Sequence, residues 1–358
     1  MKTWLVNCLP VVWRKKIRQY LTEIQLFCIR LFSTNGFLAS IYYTFFSNQF
    51  RREHKAVLQG RLAYAKSLTQ IGKSSALLRR NIHRLEKGLI MQPRREVFAE
   101  AYIGETVDCY LAAVKSQQLC AEELKWATDV LTDYFKVAGS TIEIENARRL
   151  FGESSNAAVT NSAAVTNSIP YPHNTLPDCP VDYQQLLTLF QRRRSVRWYQ
   201  PKPVPESLIQ QAIAAAKLAP SACNRQPFQF YVINEADKAA DIAKCAMGTV
   251  GFAENFQCII AIVGDLSAYP AERDRHVIYI DGALAAMQLM LAFETLGLST
   301  CPINWPDIEA REKMLTQKLG LAYYQRTVML MAVGYAQPEG GIAFSQKKNN
   351  SILVKDVV

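Results

Sequence analysis

"LAPSACNRQPFQFYV", residues 218–232, ends one element and begins another. Upstream, "PESLIQQAIAAAKLAP" (205–220) carries Leu208, Ile209, Ala212, Ile213 and Ala216 on one helical face behind Pro205. Downstream, "FQFYVIN" (228–234) has the aromatic and β-branched composition of a strand. Between them stand two prolines and a polar group, Asn224, Arg225 and Gln226. Such a turn is either a solvated helix-to-strand loop or one whose polar side chains cap its own backbone.

The alternation continues outward. "YQQLLTLFQRRR" (183–194) reads as a helix. "CIIAIVG" (258–264) and "TVMLMAVGY" (327–335) are nearly continuous apolar runs, expected of buried central strands. "YIDGALAAMQLMLAFETLG" (279–297) is too long for a strand and apolar on most faces, which predicts a buried helix. Interleaved helices and strands indicate an α/β or α+β sandwich after Asp182.

Residues 1–152 are different. Glycine and proline are sparse, and "EELKWATDVLTDYFKVAG" (122–139) places Leu124, Ala127, Val130, Leu131, Tyr134 and Phe135 on one face, with Gly139 as a stop. This part reads as a helical domain. Residues 153–181 then contain AAVTNS twice in succession (157–162 and 163–168) among Ser, Asn and Pro, the composition of a flexible linker. The expected division is 1–152 helical, 153–181 linker, 182–358 sandwich.

Charge follows the same division. Residues 1–95 hold eighteen Lys/Arg against three acids, a net of +15, so the rest of the +10 chain carries −5. Such charge suits nucleic acid, an anionic lipid surface or an acidic protein partner, and equally a merely solvated helical face. If there is a partner, we expect a membrane surface or a protein and no nucleic acid. "VVWRKKIRQYLTEIQLFCIRLF" (11–32) mixes Trp, Phe and Leu with Lys and Arg, as interfacial amphipathic helices and bundle helices both do. "NGFLASIYYTFF" (35–46) is shorter than the roughly 20 residues a spanning helix needs, and no secretory signal is evident. Nine cysteines without a CxxC pair, several inside apolar runs, point to reduced thiols and a cytoplasmic setting, with peripheral attachment to the inner membrane as an option. With four histidines and no paired ligand spacing, no metal site is expected.

Several motifs are decoys. "IGKSSALL" (71–78) resembles the end of a phosphate loop, but Ser67 stands where the first glycine is needed. No GxGxxG follows a strand and no GxSxG is present. "QRRRSVRWYQPKPVP" (191–205) is more informative. Its four arginines within six residues repel one another unless an anion satisfies them, and guanidinium forks suit phosphate.

"RRSVRWY", "PVP", a helix, "APSACNRQPFQFYV" and "YIDGALAAMQLMLAFETLGLSTCPI" together resemble the flavin-dependent nitroreductase superfamily, including its iodotyrosine-deiodinase branch, over about residues 185–358. The resemblance implies a nitroreductase-like α+β fold with a domain-swapped C-terminal tail. It further implies a homodimer binding FMN between subunits, NADH or NADPH as electron donor, and a small-molecule acceptor. Arg193, Arg194, Ser195 and Arg197 match the first FMN segment, with Arg197 at the ring as the catalytic cation. Ser221, Cys223 and Asn224 would line the flavin, and Ser299, Thr300 and Cys301 would face it. Lys347 and Lys348 match a basic pair that closes on the phosphate. The segment "AKCAMGTVGFAENFQ" (243–257) stands where relatives carry an acceptor lid, and it lacks the Glu-Tyr-Lys set expected for a halotyrosine. "LRRNIHRLEKGLIMQPRREVFAEAY" (78–102) resembles the helical extension of nitroreductase-like proteins from polysaccharide gene clusters. An accessory, flavin-binding protein of a membrane-associated assembly is the alternative function. Read from its residues alone, "HRLEKGL" is a helix with His83 and Glu86 one turn apart and a Gly88 cap.

Overall fold

The computed structural model describes residues 10–158 and 167–355. Most of the tandem repeat, the first nine residues with Cys8, and the last three lie outside the described residues. Contacts divide the chain into two compact units, Met1–Lys55 and Ala56–Val358. Composition had placed a boundary at 153–181 instead. The described residues of that segment, 153–158 and 167–181, belong to the larger unit.

In the first unit, α1 (Val11–Phe32) coincides with the basic apolar segment, and α2 (Gly36–Ile41) leads into a π-turn (Tyr42–Phe46). Aromatic rings hold this corner: Phe32 lies 5.6 Å from Tyr42 and 5.3 Å from Phe46.

The second unit begins within α3 (Arg51–Ser67). Helices α4 (Ala76–Leu89), α5 (Glu100–Ser116), α6 (Ala121–Val137) and α7 (Ile142–Ala158) enclose one core, built on Leu78, Ile82, Leu85, Ile103, Val130, Leu131, Tyr134 and Ile144. The phosphate-loop decoy has a structural purpose: the Ser75 hydroxyl accepts from the Leu78 N–H and caps α4. Gly88 is not the helix cap that the sequence suggests. A Cβ there would sit 2.4 Å from the Phe98 ring, so the glycine permits close packing one residue before the helix ends.

The remaining chain forms a helix–sheet–helix sandwich. Its elements are α8 (Tyr183–Arg192), α9 (Glu206–Ala216), β1 (Phe228–Ile233), α10 (Ala236–Ala243), β2 (Cys258–Asp265), α11 (Val277–Thr295), β3 (Ser299–Asn304), α12 (Glu309–Leu319), β4 (Gln325–Gly334) and α13 (Asn350–Leu353). The sheet order is β1-β2-β4-β3 and every pair is antiparallel. Both faces of β2 are buried, which explains its unbroken apolar sequence. Period-two alternation assigns Ile259, Ala261 and Val263 to the core shared with α10 and α12, and Cys258, Ile260 and Ile262 to the core shared with α9 and α11. Gly264 lets α11 approach, since a Cβ there would meet that of Ile278 at 2.7 Å.

One sequence expectation needs correction. Helix α11 is apolar nearly all round but is not wholly buried. Ile280, Leu284 and Met287, at i, i+4 and i+7, are 57%, 42% and 39% exposed. By length and hydropathy this helix could cross a membrane. Its other face, with Ala285, Ala286, Leu289 and Phe293, is packed into the protein core.

Candidate functional site

The 221–226 turn is held by a carboxylate from below. Cys223, Asn224 and Gln226 all have φ near +50°, a left-handed conformation that costs non-glycine residues roughly 1–2 kcal/mol each. Asp281 on α11, 3% exposed, accepts the Ser221 hydroxyl at 2.6 Å and the Ala222 N–H at 3.0 Å. The same Ser221 oxygen accepts the Gln226 N–H at 2.8 Å. Gln226 also donates to the Lys217 carbonyl at 3.0 Å, and the Arg225 guanidinium stacks 4.9 Å from the Tyr269 ring centroid. Of the polar residues of the opening stretch, Ser221 and Gln226 satisfy the turn itself, whereas the Arg225 Nε is buried with no hydrogen-bond partner among the described residues. Among the described residues, the side chains of Cys223 and Asn224 make no hydrogen bond within the chain, and both are half-buried.

Segment 193–199 runs along the sheet edge. Ser195 forms an isolated parallel bridge with Thr300 of β3, and the Val196 N–H donates to the Thr300 carbonyl at 3.0 Å. This is how residues a hundred positions apart meet. The Thr300 hydroxyl is buried and finds no partner. Arg193 is half-buried with no hydrogen bond or ion pair for its guanidinium among the described residues. Arg197 reaches only its neighbour, the Ser195 carbonyl at 3.4 Å, and lies 6.0 Å from the Phe252 ring centroid. Burial pushes the Cys301 thiol up, while Arg197 and then Arg193 pull it down, so both cations act at the same strand.

Arg194 behaves differently. It donates to the carbonyls of Ala343, at 2.7 Å, and Phe344, holding the start of the C-terminal tail. Lys347 and Lys348 are exposed beyond that point and Ser299 is half-buried at the strand start. The structure thus brings Arg193, Ser195, Arg197, Thr300 and Cys301 to one edge. Ser221, Cys223 and Asn224 stand on the turn at the N-terminal end of β1.

Three supporting residues escape sequence reasoning. Asn255, in the lid segment, accepts the Tyr199 N–H at 2.8 Å and donates to the Arg197 carbonyl at 3.0 Å. Asp281 had a signal: it is a carboxylate within an apolar helix whose other acid, Glu294, stands near its end. Arg79, on α4, contacts the 221–226 turn and had none.

Among the described residues, Arg193 and Arg197 without counter-ions and the Thr300 hydroxyl without a partner, at one sheet edge, suit a ligand that carries an anionic group and ring hydrogen-bonding atoms. The Nitroreductase family model matches residues 190–251 and 239–335. Residues 190–335 belong to the nitroreductase family. An NADH dehydrogenase of Thermus thermophilus is 28% identical over 181 residues, covering 42% of this chain and 85% of its own. Iodotyrosine deiodinase 1 of Homo sapiens is 24% identical over 210 residues, covering 50% of this chain and 72% of its own. Among solved structures, an FMN-dependent nitroreductase from Clostridium difficile R20291 aligns with 48% of this chain and 99% of its own, at 21% identity and a TM-score of 0.41. The helical residues before 190 lie outside the family match. The nitroreductase domain is therefore the sandwich, and the helices α3–α7 are an addition to it.

Proposed function

We propose that this chain is an FMN-dependent oxidoreductase that uses a reduced nicotinamide, or another donor, to reduce a small-molecule acceptor. The observation that carries the reading is the family match, whose residues include the edge where Arg193, Ser195, Arg197 and Thr300 meet. The residues at the β3 edge fit the cofactor, because Arg193, with no ion pair among the described residues, suits its phosphate and the unpartnered Thr300 hydroxyl suits its ring edge; Asn224, before the opposite edge strand β1, offers a further amide. When bound, FMN supplies hydride chemistry in two half-reactions, donor and acceptor taking turns in one cleft. The chain's own groups position and polarise. Ser221 and Asp281 fix the turn, Asn255 fixes the backbone at Arg197, and Lys347 or Lys348 on the tail would close over the phosphate.

Arg197 would hold its positive charge where reduction creates a negative one. An R197A variant should retain FMN but show a midpoint potential lower by on the order of 30 mV, equivalent to about 1.4 kcal/mol for a two-electron couple. Spectroelectrochemistry measures it; an unchanged potential removes Arg197 from the chemistry. Bleaching of the bound flavin by NADH or NADPH tests the enzyme itself. Flavin that binds and is reduced by no donor would favour the accessory-protein alternative.

A homodimer belongs to this proposal. The exposed stripe of Ile280, Leu284 and Met287, and exposed Ile342, Phe344, Ile352 and Leu353 on the tail, offer apolar surface to a second copy.

A second reading concerns location, in the cytoplasm against the inner membrane. On α1, Trp13, Tyr20, Ile24, Phe27 and Leu31 fall within about 40° of one line at 3.6 residues per turn. All five are exposed, while Lys15 and Arg18 lie on the opposite side. We propose that this face rests on an anionic bilayer. The protein should sediment with anionic vesicles and be released by salt, and W13A with F27A should weaken binding at least about tenfold. Absence of binding would leave α1 to a protein partner.

A further inference from the structure

The 221–226 turn is also held from above, by the helical layer that the family match does not include. Arg79 on α4 donates from Nε to the Asn224 carbonyl at 2.8 Å and from Nη2 to Gln226 Oε1 at 3.2 Å. Its Nη1 donates to Glu123 Oε2 at 3.0 Å, and its guanidinium lies 5.4 Å from the Trp126 ring centroid. The pair is nearly dry: the Arg79 side chain is 14% exposed and that of Glu123 is 4%. Glu123 is itself fixed, accepting the Ser74 hydroxyl at 2.7 Å and the Ser75 N–H at 2.9 Å at the start of α4.

The chain of contacts runs in one direction. A carboxylate with three donors orients a guanidinium, and the remaining edge of that planar fork meets the turn at two acceptors. Those acceptors belong to Asn224 and Gln226, two of the three left-handed residues. Without the fork, the Asn224 carbonyl and the Gln226 side-chain oxygen lose their Arg79 donors, and the turn is left with the Ser221 and Asp281 bonds, the Gln226 bond to Lys217 and its own backbone bonds; its left-handed residues gain a route back to unstrained backbone.

We propose that Arg79 is a positioning residue for the 221–226 turn, so that the helical layer completes the cofactor cleft of the nitroreductase domain. The cleft part rests on the FMN reading above; the ordering of the turn does not. Arg79 touches no reacting atom. It sets where the Cys223 and Asn224 side chains, which make no hydrogen bond among the described residues, are presented.

Hydrogen exchange on the full-length protein without flavin tests the ordering. In R79A, protection of the Asn224, Arg225 and Gln226 amides should fall at least about tenfold, with β2 and β4 unchanged. R79K keeps a charge against Glu123 but lacks the fork, and should recover only part of that protection. With FMN added, dissociation constants should rise in the same order, wild type below R79K below R79A. A role in bundle packing alone would speed exchange through α4 and α6 without singling out the turn, and would overturn the proposal. So would unchanged turn protection in both variants. If R79A does not fold, R79K decides by the same measurement. Wild-type protein that takes up no FMN would sink the flavin reading, while turn protection still decides the role of Arg79.

Discussion

An R193A/R194A double variant is expected to bind FMN about 10²–10⁴-fold more weakly than the native chain. Each charge-assisted bond to a phosphate is worth about 1.5–3 kcal/mol, and tenfold in affinity corresponds to about 1.4 kcal/mol. The two arginines would contribute by different routes. Arg193 is half-buried with no counter-ion among the described residues, which leaves it to meet a phosphate directly. Arg194 is already engaged with the Ala343 and Phe344 carbonyls, so its loss would release the tail that carries Lys347 and Lys348. R193A alone should then lose affinity with the tail still ordered. R194A alone should lose less affinity and render the tail sensitive to protease. Fluorescence titration with FMN and limited proteolysis separate the two effects. Native-like affinity in R193A would move the phosphate elsewhere along the edge.

What could be read from the sequence were features whose physics is local. The buried strands β2 and β4 announced themselves as unbroken apolar runs, and α9 by its face behind Pro205. The four arginines at 192–197 were visible as a charge cluster, and the family resemblance supplied roles for three of them. Contacts between distant positions were not visible. Nothing in "LRRN" distinguishes Arg79, which crosses 145 positions to Asn224, from Arg80 beside it. The bridge from Ser195 to Thr300 needed the closed sheet before it had meaning. The exposed stripe of α11 was hidden for another reason: an apolar residue reads the same whether its own chain or a second copy covers it. The composition of residues 153–181 reports local looseness, not whether the parts they join pack together. Even at its edge, the Ser168 N–H donates to Asp129 of α6 at 2.8 Å.

The division of the chain can be tested by truncation. A chain beginning at Pro180 contains every residue matched to the nitroreductase family, and composition alone predicts that it folds and binds FMN. The contacts predict otherwise. Ala56 and Val57 share a cluster with Leu266, Ala268, Tyr269 and Ile278, and a Cβ on Gly60 would meet Leu266 at 2.7 Å. Arg61 donates to the Pro270 carbonyl at 3.0 Å and pairs with Glu272. Arg79 holds the turn at Asn224 and Gln226. Removal of residues 1–179 takes away all of these and uncovers apolar surface on the sandwich, so this chain should aggregate or bind FMN at least about tenfold more weakly. A chain beginning at Ala56 keeps them, and should fold cooperatively with affinity within about threefold of native. Size-exclusion chromatography, thermal melting and FMN titration of both chains decide the matter. A soluble Pro180 chain with native affinity would mean that the sandwich builds its cleft unaided, and that α3–α7 are carried for a purpose other than completing it.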